Sequence, residues 1–165
     1  MDIESHVVDP EMMRLAMRNW ATGVTIVSSI HNGTRHGMTV SSFTSVSIDP
    51  AMVLVSLQMN ARTHRLVKDS GIFAVTILDG TQSAISDRFA GRHTERLDRY
   101  RGLETFTLVT GAPLLPGGLV YFDCQVCETY EIGQHTLFIG RVLAMQKGAG
   151  KQPLIYFDRN YHQIS

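Results

Sequence analysis

The residues best suited to chemistry begin with a hydroxyl-rich segment. Between Gly37 and Pro50 the chain reads as a strand, yet it carries six hydroxyl side chains: Thr39, Ser41, Ser42, Thr44, Ser45 and Ser47. On an extended chain Ser41, Ser45 and Ser47 share one face, and Ser42 and Thr44 share the other. A strand built only for packing would place more Val and Ile inward. Such a run is either a solvated face or the wall of a pocket that hydrogen-bonds a polar, planar ligand.

A second candidate lies at Asn60-Ala61-Arg62-Thr63-His64, where the pattern predicts entry into a helix. Free backbone N–H groups and the positive dipole end make a helix start a phosphate site, and Arg62 would add a cation. Thr63 would add a hydroxyl, or would serve simply as the helix cap. A third candidate is His135, beside a turn at the head of an apolar strand. There it is either a surface residue or a group that orients a ligand.

Other chemistries are disfavoured. The only cysteines are Cys124 and Cys127, three apart on a predicted strand, so they should face opposite ways as structural thiols. The seven histidines are scattered, and no metal site is expected. There is no Rossmann glycine fingerprint, P-loop, nucleophile elbow or zincin helix. An enzyme with this sequence would draw its chemistry from a cofactor.

The elements that must position these residues are mostly strands. Asp9-Pro10-Glu11 opens a first helix, whose Met12, Met13, Leu15, Ala16 and Trp20 are expected to pack in the core. Strands are predicted at Val24 to Ile30 and, after the Asn32-Gly33 turn, at Arg35 to Ile48 in one piece. Further strands are predicted at Met52 to Leu57, Ile72 to Leu78, Thr105 to Val109, Leu119 to Ile132 and Thr136 to Met145, and Leu154 to Ile164 ends the chain with alternating aromatic and polar residues. Helices are expected at Thr63 to Asp69 and at Thr81 to Ala90, the latter with Ala84, Ile85 and Phe89 inward. Gly91 to Arg101, with four arginines, reads as a solvated loop or a flap over a site. With no βαβ alternation, this favours a mainly β fold: an antiparallel barrel with a few short peripheral helices.

Composition sets the frame. The 165 residues suit one domain, and 44% hydrophobic content argues against disorder. Lys plus Arg and Asp plus Glu are 15 each, so no net basic field would attract nucleic acid. Without a membrane-length apolar run or a signal-like N-terminus, a cytoplasmic protein is the expectation.

Taken in order, several segments resemble the short-chain flavin reductase family, the small components of two-component flavin-dependent monooxygenases. They are Ala21-Thr22-Gly23-Val24-Thr25-Ile26-Val27, His36 to Ser47, Asp49-Pro50, Arg62-Thr63-His64, Phe73-Ala74-Val75, Arg88-Phe89-Ala90, Gly111-Ala112-Pro113-Leu114-Leu115 and His135 to Val142. The resemblance covers about Met13 to Tyr161 and treats residues 1–165 as a single domain. It implies an FMN-binding split β-barrel (antiparallel, Greek-key) that forms a homodimer. It implies an enzyme that uses NADH or NADPH to reduce FMN or FAD and supplies a separate oxygenase; the expectation of a cytoplasmic protein with no nucleic-acid or membrane partner comes from composition. By the same resemblance Thr39, Val40, Ser41 and Ser42 would contact the flavin ring and ribityl chain. Ser56, Leu57, Ala61, Arg62 and Thr63 would hold the phosphate, and Arg88 and Phe89 would border the flavin. His135 would stand beside the nicotinamide as the catalytic histidine, with Tyr156 near it. Ala61 departs from the family, where a serine often precedes the Arg-Thr pair, so one phosphate hydroxyl is missing. The alternatives are a non-catalytic flavin-binding barrel (a carrier or sensor) and a purely structural barrel.

Overall fold

The computed structural model describes residues 7–91 and 98–164. Its first helix, α1 (Pro10–Met17), begins as its sequence dictates: Asp9 accepts from the Glu11 amide, and Pro10 opens the first turn. Ten short or long strands follow: β1 (Thr22–Gly23), β2 (Thr25–His31), β3 (Thr34–Val40), β4 (Thr44–Ser47), β5 (Met52–Gln58), β6 (Ile72–Ile77), β7 (Val120–Ile132), β8 (His135–Lys147), β9 (Ile155–Phe157) and β10 (Asn160–His162). Helix α2 (Arg62–Ser70) links β5 to β6, and α3 (Ser83–Phe89) follows β6.

Seven strands form one antiparallel sheet in the order β3-β2-β6-β7-β8-β5-β4. Its two edge strands, β3 and β4, are consecutive in the chain and joined only by Ser41-Ser42-Phe43. That link spans at most about 14 Å when fully extended. A flat seven-stranded sheet would separate its edges by about 29 Å. The sheet must therefore curl until its edges nearly meet, which is the split-barrel geometry. At that seam the Ser42 hydroxyl donates to the Ser56 carbonyl (2.8 Å) and accepts from the Ser56 amide (3.1 Å). A side chain thus stands where the next strand would be.

The core has two main parts. Val27, Val55, Leu57, Phe73, Val75 and Phe138 pack on one face of the sheet, with Val67 of α2 among them. Ile26, Leu78, Phe89, Tyr100 and Leu154 pack on the other. Alternation along β2, where Val27 and Ile26 join different clusters, produces this division. A separate three-stranded sheet, β1-β9-β10, closes one side. Its β9–β10 turn places Asp158 and Arg159 at positive φ (47° and 63°), the same geometry as Asn32-Gly33 (48° and 75°).

Several expectations need correction. Arg35 to Ile48 is two strands, because the chain leaves one sheet edge and joins the other at residues 41–43. Thr105 to Val109 is irregular, with a single bridge from Phe106 to Leu114. The apolar residues of α1 are not core: Met12, Met13, Leu15 and Trp20 are exposed, and no residue of α1 is buried. In α3 the inward residues are Ser86 and Phe89, with Ile85 half-buried, while Ala84 faces outward. The flap expected around Gly91 to Arg101 lies largely outside the described residues. Among those described, no helix is long and apolar enough to cross a membrane.

Candidate functional site

The site is built around the start of α2. Its cap position is Ala61, in extended conformation (φ −74°, ψ 140°), whose methyl side chain makes no cap hydrogen bond. Thr63 is not the cap. It lies one residue inside the helix, is fully buried, and its Oγ1 is 2.7 Å from His36 Nδ1 on β3. On the far side His64 Nε2 meets Thr136 Oγ1 of β8 at 2.8 Å, and the His64 ring packs edge-on against Phe138. Two histidines thus pin α2 between β3 and β8, and the first N–H groups of the helix have no partner within it.

The helix start borders a cavity of about 580 Å³, walled by His36, Thr39, Gln58, Ala61, Arg62, Thr63, Phe89 and Arg99 among others. Arg99 donates to the carbonyls of Gly37 (3.0 Å) and Phe89 (2.7 Å), which fixes its guanidinium at the rim. Burial first, then the charges of Arg99 and Arg62, lower the His36 pKa to about 4, so this imidazole is neutral near pH 7.

The cavity continues along β3. A smaller space of about 170 Å³ shares Thr39 and Ala90 with it and adds Ser41, Ser86, Tyr156 and Tyr161. A third, of about 430 Å³, shares Ser41 and adds Trp20, Thr25, Ser42 and Phe43. Together they make a groove from the helix start along the hydroxyl segment. Its wall is ordered: Thr39 Oγ1 donates to the Ser86 carbonyl (2.5 Å), and the Tyr161 hydroxyl donates to Asp87 Oδ1 (2.8 Å). The Tyr156 and Tyr161 rings lie 5.5 Å apart.

The expected residues divide by what they present. Thr39, Ser41, Ser42, Ala61, Arg62, Thr63, Phe89 and Tyr156 line the groove. The side chains of Val40 and Leu57 are in the core, so only their backbone is available to a ligand. The Ser56 backbone holds Ser42. Arg88 turns toward the chain and donates to the Arg101 carbonyl. His135 is exposed at the base of the β7–β8 hairpin turn, in register with Gln58, which walls the large cavity. Ser45 is exposed on the edge strand β4, as the solvated-face reading requires, and Ser47 is half-buried there.

His36, Gln58 and Arg99 were missed as site residues. Their signal is tertiary, since β3, β5 and the segment after α3 meet only in the folded chain. Of the two cysteines, Cys124 is buried, with its thiol pushed up to about 12 by that burial, and Cys127 is exposed.

This barrel, with a groove leading from a helix start along a hydroxyl-rich edge, defines a flavin-binding class. The flavin reductase like domain matches residues 17–165, and the chain belongs to that family. It is similar to an NADH-dependent flavin reductase of a Rhodococcus species, 37% identical over 164 residues that cover 95% of this chain and 90% of the relative. It is also similar to the FMN reductase (NADH) RutF of Ancylobacter novellus, 35% identical over 158 residues that cover 96% of this chain and 87% of the relative. Among solved structures, the styrene monooxygenase flavin reductase SMOB of Pseudomonas putida S12 superposes with a TM-score of 0.81 at 37% identity, covering 93% of this chain and 97% of that one.

Proposed function

We propose that this protein is an NADH-dependent flavin reductase that binds flavin along the β3 groove and passes reduced flavin to a separate oxygenase. The observation that carries the reading is the start of α2, whose cap residue Ala61 offers no capping side chain and which opens beside Arg62 into a cavity of about 580 Å³. That volume lies within the range of small-molecule sites, and the donor set suits a phosphate. The bound flavin would supply the chemistry, accepting a hydride from the nicotinamide.

The chain's own residues bind and orient. Arg62 and the α2 amides would neutralise the phosphate, without the hydroxyl that a serine at Ala61 would add. Thr39 and Ser41, with the Val40 backbone, would border the ribityl chain and ring. The Ser42 hydroxyl is committed to Ser56, so its share in binding is to hold the seam in shape. His135, above Gln58, would steer the nicotinamide toward the groove.

A second copy of the chain is part of this reading. Met12, Met13, Leu15, Met17 and Trp20 are exposed on and just after α1, an apolar surface suited to self-association. Light scattering should give twice the chain mass, and a monomer would overturn that part. The oxygenase partner is supported by the resemblance to a styrene monooxygenase reductase. Catalytic activity itself is tested by NADH oxidation in the presence of FMN, with NADPH as the comparison. Flavin binding without NADH or NADPH oxidation would favour a carrier instead.

A further inference from the structure

We propose that His36 makes the groove discriminate phosphorylated flavins from riboflavin, by taking up a proton when a phosphate enters beside Arg62. The inference rests on the flavin reading of the cavity and adds a residue and a proton to it.

His36 occupies an unusual position. It is a cavity wall, half-buried, with Nδ1 2.7 Å from Thr63 Oγ1 near the start of α2. Among the described residues, the charged groups that act on it come from two elements: Arg62 from α2, and Arg99 and Asp98 from the segment after α3. Arg99 is held by two carbonyls, which keeps its charge at the rim. Burial first, then two cations against one carboxylate among the described residues, keep the ring neutral in the ligand-free protein.

A phosphate dianion reverses that balance. An opposite charge within about 4–6 Å favours the imidazolium by roughly one to three pKa units, and a dianion also offsets both arginines. The proton comes from solvent. Once cationic, His36 donates Nδ1–H to Thr63 Oγ1. Thr63 is fully buried, so protonation acts through the charge it adds to the cavity wall. Riboflavin brings no such charge and should leave His36 neutral.

The test is isothermal titration calorimetry of the full chain with FMN and with riboflavin at pH 7, in two buffers of different ionisation enthalpy. The FMN phosphate, with a second pKa of about 6, is then mostly dianionic. Wild type should take up a fraction of a proton, up to about half, per FMN and none per riboflavin. His36→Gln, whose amide still offers Thr63 a hydrogen-bonding partner, should lose the uptake and bind FMN up to about twofold more weakly at pH 7. Raising the pH from 7 to 9 should erode the preference of wild type for FMN over riboflavin and leave that of the variant flat. FMN binding with equal proton counts in wild type and variant, or equal counts for FMN and riboflavin, overturns the proposal alone. No FMN binding by wild type overturns the flavin reading and the proposal with it.

Discussion

The Ser42 hydroxyl bridges both backbone groups of Ser56, donating to its carbonyl at 2.8 Å and accepting from its amide at 3.1 Å. This pair joins the β3–β4 link to β5 at the place where the sheet nearly closes on itself. Ser42→Ala would remove both bonds and leave a part-buried amide unpaired, at about 1–2 kcal/mol. Urea denaturation should show that loss, together with weaker flavin binding. Unchanged stability would mean that the seam does not depend on this contact.

Arg62 is expected to act on the phosphate and not on the ring. Arg62→Ala should raise the Kd for FMN roughly ten- to a hundredfold, the worth of a charge-assisted bond, while riboflavin affinity changes little. Fluorescence titration with both ligands measures the difference. An equal loss for both would move the phosphate elsewhere.

His135 tests the nicotinamide end. It is exposed, so His135→Ala should shift stability by less than about 0.5 kcal/mol. Misplacing the nicotinamide should slow hydride transfer roughly ten- to a hundredfold. Stopped-flow flavin reduction at saturating NADH reads this rate, and an unchanged rate would remove His135 from the mechanism.

Acid should destabilise the ligand-free protein through His36. Its folded pKa of about 4 lies below the ordinary value of 6.5, so the unfolded chain binds the extra proton first. The contribution is full above pH 6.5 and is lost as pH falls from 6.5 toward 4. Asp79 acts lower still. Hydrogen bonds from Thr81, Lys151 and Gln152 hold its carboxyl well below the usual range, so its contribution persists until stronger acid. Thermal melts against pH should show a shallower decline from pH 6.5 to 4 in His36→Gln than in wild type.

Much of this was legible in the sequence because it is local. Asn32-Gly33 announced its hairpin, Asp9-Pro10 its helix, and Arg62-Thr63 a helix start. The long strands β7 and β8 followed from runs of strand-forming residues around Gly133-Gln134. What failed was what depends on distant partners. The apolar stripe of α1 has helical spacing, and spacing alone does not say whether a core or a second molecule receives it. The hydroxyls at 41–47 looked like one strand because a change of sheet edge leaves no mark in periodicity. Thr63 resembled a cap, yet His36, from a strand far away in sequence, holds it inside the helix.

The most direct test of flavin reduction is anaerobic mixing of the protein with a large excess of FMN and NADH, followed by the visible absorbance of oxidised flavin. Complete bleaching of many flavins per chain is expected, with one NADH oxidised for each. Bound FMN that keeps its absorbance in the presence of NADH or NADPH would contradict it.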